Sequence, residues 1–95
     1  MLGQRIGQLR LAFGWTQVEL AKRLNVTKQT VSNWENDNIQ PSIEMLVKVA
    51  NEFKVSTDYV LGLENIPRLD TQGLSLSTVA HLALLIDDLK PNMHE

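Results

Sequence analysis

The chain has no cysteine, so it holds no disulfide framework and no thiol nucleophile, and it lacks the ligand most structural zinc sites use. Aromatic residues are scarce, at 5 % of the 95 residues, so a core has to be built mainly from aliphatic side chains. No apolar run approaches the roughly 20 residues that a bilayer-spanning helix needs. The opening Met1-Leu2-Gly3-Gln4-Arg5 lacks the apolar stretch of a secretory signal. The expectation is a soluble, cytoplasmic protein without a membrane partner. Catalytic groupings are missing as well: there is no Ser/His/Asp set and no glycine-rich phosphate loop. His81 and His94 stand far apart with no second ligand at helical spacing, and Asp87-Asp88 offers two carboxylates without further oxygen ligands. A protein that is not an enzyme, with no cofactor and no metal, is expected.

A strong charge of one sign is also absent. The net charge is −2, but it is unevenly spread. Residues 1–61 carry seven basic groups (Arg5, Arg10, Lys22, Arg23, Lys28, Lys48, Lys54) against six acidic ones, whereas residues 62–95 carry two against five. The acidity sits in the tail, and the first part is a weak electrostatic footprint for a polyanion.

What is present is helical patterning. Hydrophobic residues make up 43 % of the chain, enough for one small domain with an appendage. Leu2, Ile6, Leu9 and Phe13 share one face of a first helix that Gly14 ends. Thr16-Gln17-Val18-Glu19 has the capping-box pattern and opens a second helix with Leu20, Ala21 and Leu24 inward. Asn25 tolerates positive φ and makes a corner, with Val26 plugging the core. Thr27 caps a third helix reaching to about Glu35, and Asn36-Asp37-Asn38 marks a loop. Ser42 caps a fourth helix whose apolar stripe is read as Ile43, Leu46, Val47 and Ala50. Ser56 caps a short fifth helix, with Asp58 near its positive end, closed by Leu61-Gly62. Residues 63–74 contain Pro67 and Gly73 and read as a connector. Ser75 then caps a last helix running to Lys90, with Pro91 just beyond.

The third helix is unusual in what it exposes. Only Val31 and Trp34 are apolar, so it meets the core along a narrow seam. Lys28, Gln29, Thr30, Ser32 and Asn33 carry amides, hydroxyls and one cation but no acid, and most are mediocre helix formers. Such groups match the major-groove edges of bases: Gln or Asn pairs with adenine, Lys reaches guanine, and a Thr methyl packs on thymine. An ordinary solvated helix would carry Glu/Lys pairs instead, but composition alone leaves a solvated polar face as the alternative.

Spacing separates the two readings. The run from Gln17 through Asn36, with Ala21 at the helix contact, Asn25 at the turn and Leu20, Leu24, Val26, Val31 and Trp34 at buried positions, closely resembles the Cro/lambda-repressor-like helix-turn-helix family, the xenobiotic-response-element-type transcriptional regulators. The likeness extends over residues 2–62 through Trp15-Thr16-Gln17, Trp34-Glu35-Asn36, Pro41-Ser42 and Val55-Ser56-Thr57-Asp58. Asp37 departs from the glycine common after Trp-Glu-Asn. The resemblance implies that Thr27, Lys28, Gln29 and Asn33 read bases, with Ser32 on the margin. It implies that Gln17, Asn36 and Asn38 contact the phosphate backbone. It also implies that Arg10 pairs with Glu35 to brace the fold, beside the buried Val31 and Trp34.

In the last helix Val79, Leu82, Ile86 and Leu89 repeat at coiled-coil spacing, and Leu76, Ala83, Leu84 and Leu85 broaden the apolar face. A helix this apolar is a surface liability for a monomer, relieved either by folding back on residues 1–62 or by meeting a second subunit. The expected architecture is therefore all-α: a five-helix lambda-repressor-like DNA-binding domain (1–62), a connector (63–74), and a C-terminal dimerisation helix and tail (75–95) with Val79, Leu82, Ala83, Ile86 and Leu89 in the interface. The expected function is a homodimeric, sequence-specific double-stranded-DNA-binding repressor. The alternative is a protein-interaction module whose last helix binds a protein partner, as in an antitoxin or anti-repressor pair.

Overall fold

A hydroxyl side chain opens almost every helix. The computed structural model describes residues 2–90 and has six helices: α1 (Leu2–Ala12), α2 (Gln17–Leu24), α3 (Lys28–Glu35), α4 (Ile43–Phe53), α5 (Thr57–Val60) and α6 (Leu76–Leu89). Thr16, Thr27, Ser42, Ser56 and Ser75 sit at the N-caps of α2 to α6 in extended conformation. Each side chain accepts a hydrogen bond from the backbone N–H three residues on. Each such cap is worth about 1 kcal/mol.

Two of the helix ends repeat one device. Asn25 (φ 58°) follows α2 and Lys54 (φ 57°) follows α4, both left-handed. The next residue is a valine in each case, and its N–H donates back to an alanine carbonyl: Val26 to Ala21 at 2.9 Å and Val55 to Ala50 at 3.0 Å. Both valines then pack on the core, giving the hydrophobic closure typical of such caps. Asn25 was legible as a turn former. Lys54 has no local preference for this conformation and adopts it because Val55 must enter the core.

The core is formed by Ile6 and Leu9 of α1, Leu20, Ala21 and Leu24 of α2, Val31 and Trp34 of α3, Val49, Ala50 and Phe53 of α4, and Val60 of α5. Fully burying a Leu, Ile or Phe stabilises by roughly 1.5–3 kcal/mol. α3 packs between α1 and α2, and α4 lies against α1, α2 and α5. Fixed from behind in this way, α3 keeps its outer face clear.

In α4 the expected stripe is corrected. Ala50 is buried and Leu46 packs against the core, but Ile43 is 82 % exposed and Val47 43 %. The segment carries two overlapping apolar stripes, and Phe53 decides between them. Its ring stacks on Trp15 (5.4 Å between centroids) and meets Phe13 edge-on (5.1 Å). That turns Val49, Ala50 and Phe53 inward. Phe13 itself lies beyond the end of α1 and stays partly exposed.

α6 takes no part in this core. None of its residues is buried, and Leu76, Leu84, Leu85, Ile86 and Leu89 are each at least half exposed. The radius of gyration, 15.4 Å, exceeds the roughly 12–13 Å of a compact chain of this length. The principal extents of 46 × 30 × 23 Å describe a compact head with a projecting helix.

Candidate nucleic-acid interface

The outer face of α3 is ordered by its own side chains. The Thr27 hydroxyl accepts from the Thr30 N–H at 3.1 Å and lies 2.9 Å from the Thr30 hydroxyl. Gln29 Nε2 donates to Asn33 Oδ1 at 3.0 Å, one helical turn along. Asn36 Nδ2 donates to Ser32 Oγ at 3.3 Å. Thr27, Lys28 and Gln29 are exposed, while Ser32 and Asn33 are half-buried. Behind them Val31 is fully buried and Trp34 nearly so. All five candidate base readers therefore belong to one helix and its cap, held at fixed rotation by two core side chains.

One end of α3 is joined to α1 and α2 by a polar bracket. Arg10 Nε donates to Glu35 Oε2 at 2.7 Å and Arg10 Nη2 to Glu35 Oε1 at 3.1 Å, while Arg10 Nη1 caps the Trp15 carbonyl at 2.8 Å. Gln17 Nε2 donates to the same Glu35 Oε1 at 3.1 Å. The pair is largely shielded, with 14 % and 10 % of the two side chains exposed. A two-pronged Arg–carboxylate contact in that setting fixes orientation more reliably than it adds stability. Sequence reasoning placed Gln17 near phosphate but not its bond to Glu35, because nothing local in the chain links positions eighteen apart.

Gln17 begins α2, directly after the Thr16 cap. The capping box is complete: the Thr16 hydroxyl accepts from the Glu19 N–H at 3.0 Å and Glu19 Oε1 accepts from the Thr16 N–H at 2.9 Å. The Thr16 amide and then its hydroxyl hold the Glu19 carboxyl below its ordinary value of 4.5. Arg10, Thr16, Gln17 and Lys28 line an open depression of about 520 Å³ between the three helices. A larger hollow of about 690 Å³ lies elsewhere, between the end of α4 and the connector, and shares no residue with the α3 face.

The loop after α3 contains Asn36 and Asn38, both exposed. Asp37 between them is left-handed at φ 58°, and its Oδ1 accepts from the Gly3 N–H at 3.1 Å. That bond satisfies an otherwise orphaned amide at the start of α1 and offsets the conformational cost of a non-glycine residue there. Gly3 was missed in the sequence. A Cβ on it would collide with the Trp34 carbonyl oxygen and lie 2.7 Å from Asp37 Oδ1, so glycine is what allows α1 to approach the end of α3.

The cations of the head divide by use. Arg5 donates to the Tyr59 carbonyl at 2.7 Å with its guanidinium 4.0 Å over that ring. Arg23 lies 3.9 Å over Trp15 and bonds Glu52 at 3.1 Å. Arg5, Arg10 and Arg23 thus brace the fold, while Lys22, Lys28, Lys48 and Lys54 are exposed. Trp15, enclosed by Phe13, Phe53 and Arg23, is a packing residue.

Among the described residues no group of three potential metal ligands occurs, and no helix is long and apolar enough to cross a membrane. His81 is exposed on α6; His94 lies outside the described residues. Of the candidate interface side chains on α6, Val79 and Leu82 are half-buried and Ala83, Ile86 and Leu89 exposed.

Residues 6–60 match the helix-turn-helix family. The chain belongs to the Cro/lambda-repressor-like helix-turn-helix family. It is 36 % identical over 78 residues to the HTH-type transcriptional regulator ImmR of Bacillus subtilis (strain 168), an alignment covering 82 % of this chain and 61 % of ImmR. The chain thus spans only about three fifths of that relative. The crystal structure of SinR in complex with DNA superposes with a TM-score of 0.61 at 39 % identity, covering 64 % of this chain and 98 % of that one. The SinR protein/SinI protein complex gives the same TM-score at 29 % identity and covers 92 % of this chain and 95 % of that one. The helix-turn-helix relatives are transcriptional regulators rather than enzymes.

Proposed function

We propose that this protein is a sequence-specific double-stranded-DNA-binding transcriptional repressor that reads the major groove with α3 as a homodimer. The observation that carries the reading is the outward, acid-free face of α3, which carries Thr27, Lys28, Gln29, Ser32 and Asn33, with Gln29 bonded to Asn33 one turn along and Thr27 capping Thr30. Base readout by these five residues follows from their donors and acceptors. Gln17 at the start of α2, with Asn36 and Asn38 beyond α3, takes the phosphate backbone. The positive end of α2 and the depression beside Lys28 support the role of Gln17. Under this reading residues 1–62 bind DNA, 63–74 connect, and 75–95 associate, with Val79, Leu82, Ala83, Ile86 and Leu89 of α6 meeting a second copy. The site of action is the cytoplasm.

Family membership and the likeness to SinR bound to DNA support DNA as the partner. A protein partner on α6 is a second reading, favoured by the unburied apolar helix and by the likeness to the SinR–SinI complex. Selection from random duplex DNA tests the main reading. Enriched sites are expected to be inverted repeats with half-sites one helical turn, about 34 Å, apart. Recovery of no preferred sequence would remove the reading helix from the account.

A further inference from the structure

We infer that Thr30 is a positioning residue for base readout, whose hydroxyl holds the Thr27 side chain in a single rotamer at the leading end of α3. The inference rests on the proposed readout by α3 and adds a residue to which that reading gives no role. A reading helix meets base edges with its N-terminal residues, and Thr27 is the exposed N-cap at that end. A threonine turns among three staggered positions about Cα–Cβ, and each presents its methyl and hydroxyl differently to the outside. Two contacts from Thr30 select one of them. The Thr27 hydroxyl accepts from the Thr30 N–H at 3.1 Å, and the Thr30 hydroxyl lies 2.9 Å from the same oxygen. Whichever hydroxyl donates, both bonds require Thr27 Oγ1 to face the first turn of α3. The direction of its methyl and of its remaining hydrogen-bonding capacity is then fixed before any duplex arrives.

Capping alone does not call for the second contact. Ser42 and Ser56 cap α4 and α5 through the same backbone bond, and there the third residue, Met45 or Tyr59, adds no side-chain bond to the cap. Burial favours the same direction of control. Thr30 is half-buried and precedes the fully buried Val31, whereas Thr27 is exposed, where packing does little to restrict a side chain. Releasing one exposed side chain, so that the duplex must order it, lowers affinity about two- to ten-fold. Only complexes that order Thr27 bear this cost, so it falls on discrimination at one base pair. The double contact recurs between Ser75 and Thr78 at the start of α6, at 3.0 and 3.1 Å, and supplies an internal control away from the reading face.

T30V keeps the branched shape and the backbone cap bond but removes the hydroxyl. T27G removes the positioned side chain at little cost to the cap. Full-length parent, T30V, T30S, T78V, T27G and the T27G/T30V double variant are titrated with the selected duplex, with the same duplex changed one base pair at a time, and with non-specific DNA. Thermal midpoints are followed in parallel. T30V is expected to flatten discrimination about two- to ten-fold at the base pair where T27G also flattens it, and nowhere else. T30S, which restores the hydroxyl, and T78V are expected to keep the parent's profile, and T30V to add nothing in the T27G background. An unchanged T30V profile overturns the inference while readout by α3 stands. A further loss on top of T27G overturns it as well, because Thr30 then meets DNA directly. A uniform loss at every base pair with a lowered thermal midpoint, or the same loss from T78V, overturns positioning in favour of helix capping. A parent with no preferred site overturns the proposed readout itself, and this inference with it.

Discussion

Gln29 and Asn33 hold each other one turn apart, and this pairing shapes what a base would meet. One hydrogen of Gln29 Nε2 is committed to Asn33 Oδ1. The Gln29 carbonyl oxygen, its second amide hydrogen and the Asn33 amino group remain for a partner, the pattern that matches the N6–H and N7 edge of adenine. Replacing Gln29→Ala is expected to lose about 1–3 kcal/mol on the preferred duplex while leaving non-specific binding nearly unchanged. Titration of selected and scrambled duplexes measures both, and equal binding of the selected duplex by variant and parent would contradict base readout. A second residue prediction concerns Gly3, whose missing Cβ makes room for the Trp34 carbonyl and the Asp37 carboxylate. Gly3→Ala is expected to destabilise the head by about 1–3 kcal/mol through overpacking, read as a lowered denaturant midpoint. An unchanged midpoint would show that α1 yields there without cost.

Helix boundaries were more legible in the chain than helix orientations. Thr16, Thr27, Ser42, Ser56 and Ser75 announce their helices because a hydroxyl before an apolar run has one favoured use, and Asn25 announces its turn. Lys54 announces nothing, since its left-handed turn is imposed by Val55. The α4 stripe was misread at Ile43 and Val47 because periodicity fixes the spacing of a face but not which of two overlapping faces is covered. The choice came from a ring contact between Phe53 and Trp15, thirty-eight positions apart. At the candidate interface, the residue types on α3 were readable locally, but the bracket of Arg10, Glu35 and Gln17 needs three helices in place. The capping box of α2 carries a pH prediction. Because the folded carboxyl of Glu19 titrates below 4.5, its stabilising contribution is present above that value and is lost as pH falls through the lowered folded pKa. An NMR titration is expected to place the Glu19 midpoint below 4.5. Glu19→Gln should abolish this part of the acid dependence, and a midpoint at or above 4.5 would mean that the box is open in solution.

For the whole molecule, the head and α6 are separate stability problems. Since α6 contributes no buried residue, a chain ending at Gly62 is expected to remain folded with a thermal midpoint close to that of the full chain at high dilution. It should sediment as a monomer at concentrations where the full chain is a dimer. A dimer of the shortened chain would move the interface onto the head, where Ile39 and Ile43 are exposed. Under the proposed reading a single head binds DNA weakly, because three of its arginines are committed to the fold and few charges remain for phosphate. Linking two heads raises the effective concentration of the second at its half-site.

Every Phe, Trp and Tyr of the chain falls within positions 13–59, and both indoles belong to the head. Trp15 is stacked on Phe53 under the Arg23 guanidinium, and Trp34 is enclosed beneath α3. Intrinsic emission is therefore an optical label confined to one half of the molecule. Melts followed by tryptophan fluorescence should be nearly insensitive to protein concentration, while helicity followed by circular dichroism should also register the gain or loss of α6 pairing. The gap between the two traces, measured over a dilution series, isolates self-association without any attached dye.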